Sequence, residues 1–453
     1  MPLVVQVLLT FIPWLPFSLL DGWNALATAR VESRLKAIRD AGDPVTLVDL
    51  AQRYPDPPPG RNAALLLLAA FVKMEAREGE KAALEDRLPL VGQAVLPTPD
   101  EPLAPPVRAA VQAYLRANAE ALALLHKAAT LDECKFDLDF AQGPAMPLPH
   151  LSNLRGAARL LALEAIERTE TGKADEAATS LIACLRMGEM IRREPTLISG
   201  LVRIACDAIA VNAVERWASR ARPSPEALGR VEAALAAAGD RKIIEWAMVS
   251  ERCFGIDIYE NHVLKPGGAQ VAAMVGIDLP VGAQMLWGAI PPAYFKSDMA
   301  HYLDIMGDYV AASRMTPSEG ARAAAQARRN LEERIPHYYV VSRLILPALQ
   351  RVFQSGQEHL ARCDSARVAL AALRYRARQQ ALPPKLEALV PEYLEAVPAD
   401  PFDGRPLRYR ADGAGLVVYA TGSDGKDDGG DTERREGKAP DVGVRIRWPK
   451  AQF

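Results

Sequence analysis

Paired cysteines are what this chain most plainly lacks. Its five cysteines among 453 residues are Cys134, Cys184, Cys206, Cys253 and Cys363, far apart and with no CxxC pair. An odd, scattered set argues against an extensive disulfide framework. Each reads instead as a buried thiol, because free cysteine behaves as a small hydrophobe. An excess of one charge is missing too. Fifty-four Lys and Arg stand against 56 Asp and Glu, a net −2, so nothing draws the chain toward nucleic acid. Aromatics are sparse at 6%, and with alanine and leucine dominant that favours a helical body.

Catalytic motifs are absent as well. There is no HExxH, no phosphate-binding Gly-x-x-x-x-Gly-Lys and no Gly-x-Ser-x-Gly elbow. The six histidines, at 126, 150, 262, 301, 337 and 359, are dispersed. Glu251, Asp257, Glu260 and His262 fall close together, but such spacings are ordinary on a helix surface and read as a polar stripe. His126, with no partner motif nearby, reads as a surface or core histidine. The expectation is a non-enzymatic chain with no small-molecule substrate identified.

What the chain does have is length for two or three domains and helical periodicity broken by 35 prolines. Leu3 to Leu20 carries no charge and would span about 27 Å as a helix. Residues 1–30 therefore read as a membrane anchor or signal-like segment, with a buried soluble helix as the alternative. Residues 31–353 read as an all-helical body without a sheet. Within it Thr46 to Asp49 caps a short helix, Asn62 to Arg77 is a buried helix and Val107 to Ala129 a single one. Gly172 to Ala177 marks a repeat-like helical hairpin near 154–217, and no second copy of the repeat follows. Pro266 to Phe295 is apolar but broken by Gly267-Gly268, Pro280 and Pro291-Pro292, and reads as a buried or lipid-facing loop.

The most ordered pattern lies in residues 354–453. Cys363, Ala366, Leu370, Leu373 and Ala377 give a helix face, and a short helix over Leu386–Leu394 follows Pro383-Pro384. The Asp400-Pro401 and Asp403-Gly404 pairs are tight turns. Strands are expected at Leu407–Arg410, Leu416–Ala420 and Val442–Trp448, from period-two alternation and turn chemistry. Three short strands need a helix to cover them. The fold class is thus mainly α, a multi-helix body with a small C-terminal α+β domain holding an antiparallel sheet.

The order of helix, Leu382-Pro383, Asp400-Pro401-Phe402-Asp403-Gly404-Arg405-Pro406, strands and the loop Thr421-Gly422-Ser423-Asp424-Gly425 resembles the globular part of type II secretion major pseudopilins. It covers roughly the last fifth of the chain, and more than three hundred residues stand where a pseudopilin has its leader and hydrophobic helix. The resemblance implies a calcium loop, with Asp424 matching the aspartate of the family's Gly-x-Asp-Gly and Asp428 and Asp431 matching its later acidic ligands. Ala420 stands where a serine ligand is usual. Without the resemblance the loop reads as a solvated turn guarding sheet edges, because its spacing is not that of an EF-hand. The whole order also resembles bacterial envelope proteins that join an anchor and a helical region to such a tail. That wider likeness implies a placement and no activity, and the expected function is a membrane-anchored, extracytoplasmic envelope protein with a structural role or with protein partners. The alternative is a component of a secretion or pilus-like assembly, and a hydrolytic enzyme without a motif comes third.

Overall fold

The computed structural model describes residues 17–75, 87–265, 290–334, 336, 339–346, 349–433 and 440–448. The expected anchor, Leu3–Leu20, lies almost wholly outside them, as does most of the Pro266–Phe295 stretch. The fold is mainly helical, with one three-stranded antiparallel sheet near the C-terminus.

A long helix α1 (Phe17–Asp40) is followed by α2 (Leu47–Gln52), which the expected capping box closes: Thr46 Oγ1 accepts from Asp49 N at 3.0 Å, and Asp49 Oδ2 accepts from Thr46 N at 3.0 Å. Helix α3 covers Ala64–Glu75. Contrary to a helix apolar and buried all round, α3 leaves Leu65, Leu68 and Val72 exposed. The single helix expected over Val107–Ala129 is two, α4 (Pro105–Ala117) and α5 (Ala119–Ala129), broken at Asn118. Asn118 has a non-helical backbone, and its buried amide donates to Tyr114 O at 2.9 Å.

The centre is the hairpin α6 (Pro149–Glu170) and α7 (Ala174–Glu189), crossed by α8 (Leu197–Arg220) and α9 (Pro225–Ala238). Gly172 supplies the φ of +79° that the α6–α7 turn requires. The row Leu160–Ile166 is buried on every side because α6 has neighbours all round. Among the described residues α8 is the one helix long and apolar enough to cross a membrane. It packs on α6 and α7 and buries Arg203, Asp207 and Arg216, as a core helix does.

Helix α10 (Lys242–Asp257) runs into a π-helical turn, Ile258–Val263, and α11 (Pro292–Ser313), α12 (Pro317–Arg334) and α13 (Val340–Ile345) follow. Helix α14 (Leu349–Gln379) is 31 residues long, about 46 Å. It contains the whole expected Cys363–Ala377 helix and begins well before it, at Leu349. Strands β1 (Arg408–Asp412), β2 (Gly415–Thr421) and β3 (Asp441–Arg447) pair in the order β1-β2-β3, within two residues of the expected spans. The Leu386–Leu394 helix is reduced to one 3-10 turn over Leu386–Leu389.

Two large hydrophobic cores result, with a small third cluster of Leu47, Leu50 and Cys253 joining α2 to α10. One joins α3–α9, the later half of α14 and the inner face of the sheet. The other joins α1 and α10–α13 with Leu349, Val352 and Phe353 of α14. The 353/354 boundary drawn from sequence falls inside α14, where that helix passes from one core to the other. Past that point the tail shares its core with α6–α9. Its outer strand is stapled to the body, with Arg445 N donating to Glu215 Oε1 at 3.2 Å and Arg447 N to Ser219 Oγ at 3.1 Å. Helix α8 thereby satisfies donors that would otherwise leave an open sheet edge.

Candidate functional site

Where the two cores meet, a cleft of about 670 Å³ opens between the α1–α2 loop, the end of α2, the α7–α8 connector and the start of α10. Its walls carry Arg53, Arg192, Arg193, Arg203, Lys242 and Arg314 against Asp43, Asp240 and Glu245. That is a surplus of three positive charges on a chain of net −2. Trp246, Ile243 and Val249 supply apolar wall on the α10 side.

Each charge is placed by something specific. The Arg192-Arg193 doublet sits on a connector pinned by buried Glu194, which accepts from Ser199 Oγ at 2.5 Å and from His150 Nε2 at 2.9 Å. Arg193 reaches Glu133 at 2.8 Å, and its carbonyl accepts from Trp246 Nε1 at 3.2 Å. Arg314, at the end of α11, donates to Asp43 Oδ1 at 2.7 Å and to Glu245 Oε1 at 2.8 Å. Asp43 also accepts from Arg252 Nη2 at 2.9 Å. Burial pushes the Asp43 carboxyl up, but the two guanidiniums outweigh it and hold it below the usual carboxylate range. Arg203 is 3% exposed, lies between Glu189 and Asp240, and leaves its Nε without a hydrogen-bond partner. Lys242 is exposed and has no ion pair among the described residues. Asp43 and Glu245 are committed to arginines and not poised as general bases. Chemically, the arrangement can hold an anion.

A second cluster joins α8 to α14. His359 Nδ1 lies 3.8 Å from Cys363 Sγ, and its Nε2 lies 3.7 Å from Asp207 Oδ2, the order of a nucleophile, a base and an orienting acid. Both separations exceed the reach of proton transfer. The Nε2 proton goes to Ala238 O at 3.1 Å. Burial lowers the imidazole to about 4 and raises the thiol and the Asp207 carboxyl well above their ordinary values. At neutral pH the imidazole and the thiol are uncharged, which is the state of structural groups and not of an activated thiolate.

The residues singled out from sequence are placed as follows. His126 Nε2 donates to Glu164 at 2.6 Å, inside a network with Arg168 and Ser180. Asp257 accepts from Asn261 Nδ2 at 2.7 Å and lies 3.6 Å from His262 Nε2, while Glu260 is exposed. Gly143 at φ +54° presses on this pair, and a Cβ there would lie 2.6 Å from Asp257 Oδ2. In the tail loop, Asp424 is exposed and its Oδ1 accepts from Lys426 N at 3.0 Å. Asp428 donates its backbone N–H to Asp441 Oδ1 at 3.3 Å, and Asp431 Oδ1 accepts from Glu433 N at 3.2 Å. Among the described residues no three His, Cys, Asp or Glu side chains group as metal ligands would. Asp424 and Asp431 are each engaged with neighbouring backbone, Asp428 is held through its own backbone N–H, and the three side chains do not converge on one point. The loop has a structural job.

That job is to cover the outer face of the sheet. Gly430 sits against Val417 and the Tyr419 ring, and Asp427 accepts from Tyr419 Oη at 3.1 Å and Arg408 Nε at 3.0 Å. Two acids not singled out from sequence hold the arrangement. Buried Asp441 accepts from Gly430 N at 2.8 Å as well as from Asp428 N, and burial raises its carboxyl. Asp400 accepts from Phe402 N, Thr421 N and Thr421 Oγ1, and from Arg408 Nη1 at 2.7 Å. Its place ahead of Pro401 marked the turn, but no spacing announced the partners at 408 and 421. The cleft was missed entirely, since nothing in linear order ties Asp43 to Arg314.

No protein-family model, curated protein or solved structure matches the chain.

Proposed function

We propose that the chain is a non-enzymatic protein of the cell envelope, anchored through its apolar N-terminal segment, that acts as a rigid scaffold for protein partners. The observation that carries this reading is the stapling of the tail. Strand β3 is fixed to α8 through Glu215 and Ser219, and α14 belongs to both cores. A unit so tied does not swing as a free domain would, and it presents one fixed surface. The cleft adds support, because its acids stand in fixed ion pairs. The charge-free stretch Leu3–Leu20 supports the placement.

The test is topology. A reporter fused after Phe453 that is active only when exported is expected to be active, and a cytosolic reporter there silent. The reverse result, or recovery of the full-length chain entirely in the soluble cytosolic fraction, would sink the reading.

A second reading, a component of a secretion or pilus-like assembly, is favoured by the tail's architecture: a helix over a three-stranded antiparallel sheet whose entry turn is organised by Asp400. Co-purification with a secretion ATPase complex would select it over the scaffold.

A further inference from the structure

We propose that the cleft between the two cores binds a small soluble organic anion, a phosphate or carboxylate group carried on a flat apolar body. This goes beyond the scaffold reading and is independent of it. A cytosolic chain would leave the site standing, and a chain that binds nothing would leave the envelope placement standing.

Charge is the first ground. Of the six cations on the cleft wall, Arg314 is neutralised by Asp43 and Glu245, Arg203 is held by Glu189 and Asp240, and Arg192 and Arg193 share Glu133, with Glu189 also near Arg192. Arg53 donates to a backbone carbonyl, that of Gly42, and Lys242 has no ion pair among the described residues. The cleft therefore keeps a positive field that a bound anion would complete.

The second ground is an orphaned donor. Arg203 lines the cleft and is 3% exposed; Glu189 and Asp240 hold its Nη atoms, while its Nε–H, closed to solvent in this conformation, has no acceptor. A buried guanidinium N–H without a partner costs free energy. A phosphate or carboxylate oxygen meets a guanidinium edge in the geometry this group prefers.

The third ground is shape. A volume of about 670 Å³ falls in the range of small-molecule sites. Trp246 lines the cleft half-buried, packed in part on the core and with its N–H already used by Arg193 O, so what it offers a ligand is apolar ring surface rather than a hydrogen bond. Ile243 and Val249 continue that apolar wall. An extended acidic peptide fits less well. Peptides held along their backbone add to a strand edge, and the elements lining this cleft are helices and turns.

The experiment is calorimetric titration of the purified full-length chain in detergent with phenyl phosphate, inorganic phosphate, phenol and hexaglutamate, each at low and high salt. Phenyl phosphate is expected to bind, more weakly at high salt, and about tenfold more tightly than inorganic phosphate or phenol, since both halves of the ligand find a partner. Lys242→Glu is expected to weaken it by about tenfold or more, the loss of a charged contact. Lys385→Glu makes the same change of charge on the exposed tail and is expected to leave the affinity within about twofold. Trp246→Phe, with folding checked by circular dichroism, is expected to weaken phenyl phosphate while sparing inorganic phosphate. The proposal is overturned if phenyl phosphate does not bind at millimolar concentration, or if Lys242→Glu and Lys385→Glu weaken it equally. Tighter binding of hexaglutamate than of phenyl phosphate would overturn it too, and would assign the cleft to an acidic peptide.

Discussion

The tail and the cleft between the cores are both held by carboxylates meeting arginines, yet they are built at different ranges along the chain. In the tail, Asp400 finds Arg408 and Thr421, and Asp441 finds Gly430 and Asp428. All these partners lie within about two dozen residues. In the cleft, Asp43 meets Arg252 and Arg314, 209 and 271 residues away. Local networks close with their turns. Distant ones close only when whole helices have docked, so they report on the packing of one core against the other. The tail should therefore behave as a tightly determined unit, and the cleft as the seam that loosens first.

The largest effect should come from Asp400→Ala. Its side chain is fully buried and paired with Arg408, which is 18% exposed. Removal leaves Arg408 with Asp403 and Asp427 but strands the donors of Phe402 and Thr421. Leaving several buried donors unsatisfied in this way costs about 3–5 kcal/mol. Because the sheet shares a core with α6–α9, the whole unfolding transition should shift, as followed by circular dichroism in urea. A separate early transition for the tail alone would break the comparison.

Next comes the pH response of His359, which faces Asp207 and Arg203 on α8, Asp240 after α9, and Arg362 and Cys363 on its own helix. Burial lowers it to about 4, against about 6.5 when unfolded. Between those values the unfolded chain binds more protons, so this contribution is full above pH 6.5 and is lost as pH falls through 4. The wild type should lose about 3 kcal/mol more than His359→Gln over that interval. Asp298, raised by burial to about 6, acts oppositely. It adds stability below about pH 4 that fades as pH rises through 6, which is why the variant pair is compared instead of the wild-type curve alone. Parallel curves for wild type and His359→Gln would refute the assignment.

Asp43→Ala should cost less, about 2 kcal/mol, because Arg252 is buried but Arg314 is 41% exposed and keeps Glu245. It probes the seam. Hydrogen exchange should quicken in α2 and the first turns of α10 while the sheet keeps its protection. Equal loosening of the sheet would erase the distinction between the regions.

How much was legible in the sequence follows the same division. The three strands, their turns, the covering helix and the capped start of α2 could all be read, because period-two alternation, Asp-Pro and Asp-Gly pairs and a Thr-x-x-Asp box act within a few residues. Asn118 was not read as a break, since a lone Asn in an apolar run costs little in propensity and the stop depends on its amide reaching Tyr114 O. The start of α14 at Leu349, well before the Cys363–Ala377 pattern, was missed for the opposite reason. The helix serves one core with Leu349, Val352 and Phe353 and the other from Ala361 onward, and two separate apolar groups read as two elements. The cleft had no local signature at all. Its charges come from six separate segments, and only their packing makes them one site.

The smallest expected effect concerns Asp424, and it sharpens the comparison within the tail itself. Sequence pattern made Asp424 the centre of the acidic loop and passed over Asp441. The structure reverses that order. Asp424 is exposed and holds only Lys426 N of its own turn, whereas Asp441 is buried and holds Gly430 and Asp428, which fold the loop onto the sheet. Asp424→Ala should therefore change stability by no more than about 0.5 kcal/mol, as for a surface turn. Asp441→Ala, which strands two donors beneath the loop, should cost about 2 kcal/mol. Calcium and chelator should give the same melting temperature for the wild type, because the loop carboxylates do not converge and a ligand stabilises only when it finds a site in the folded state. A melting temperature that rises in calcium for the wild type but not for Asp424→Ala would show that the loop rearranges to gather its acids, and would restore the metal site that the resemblance implied.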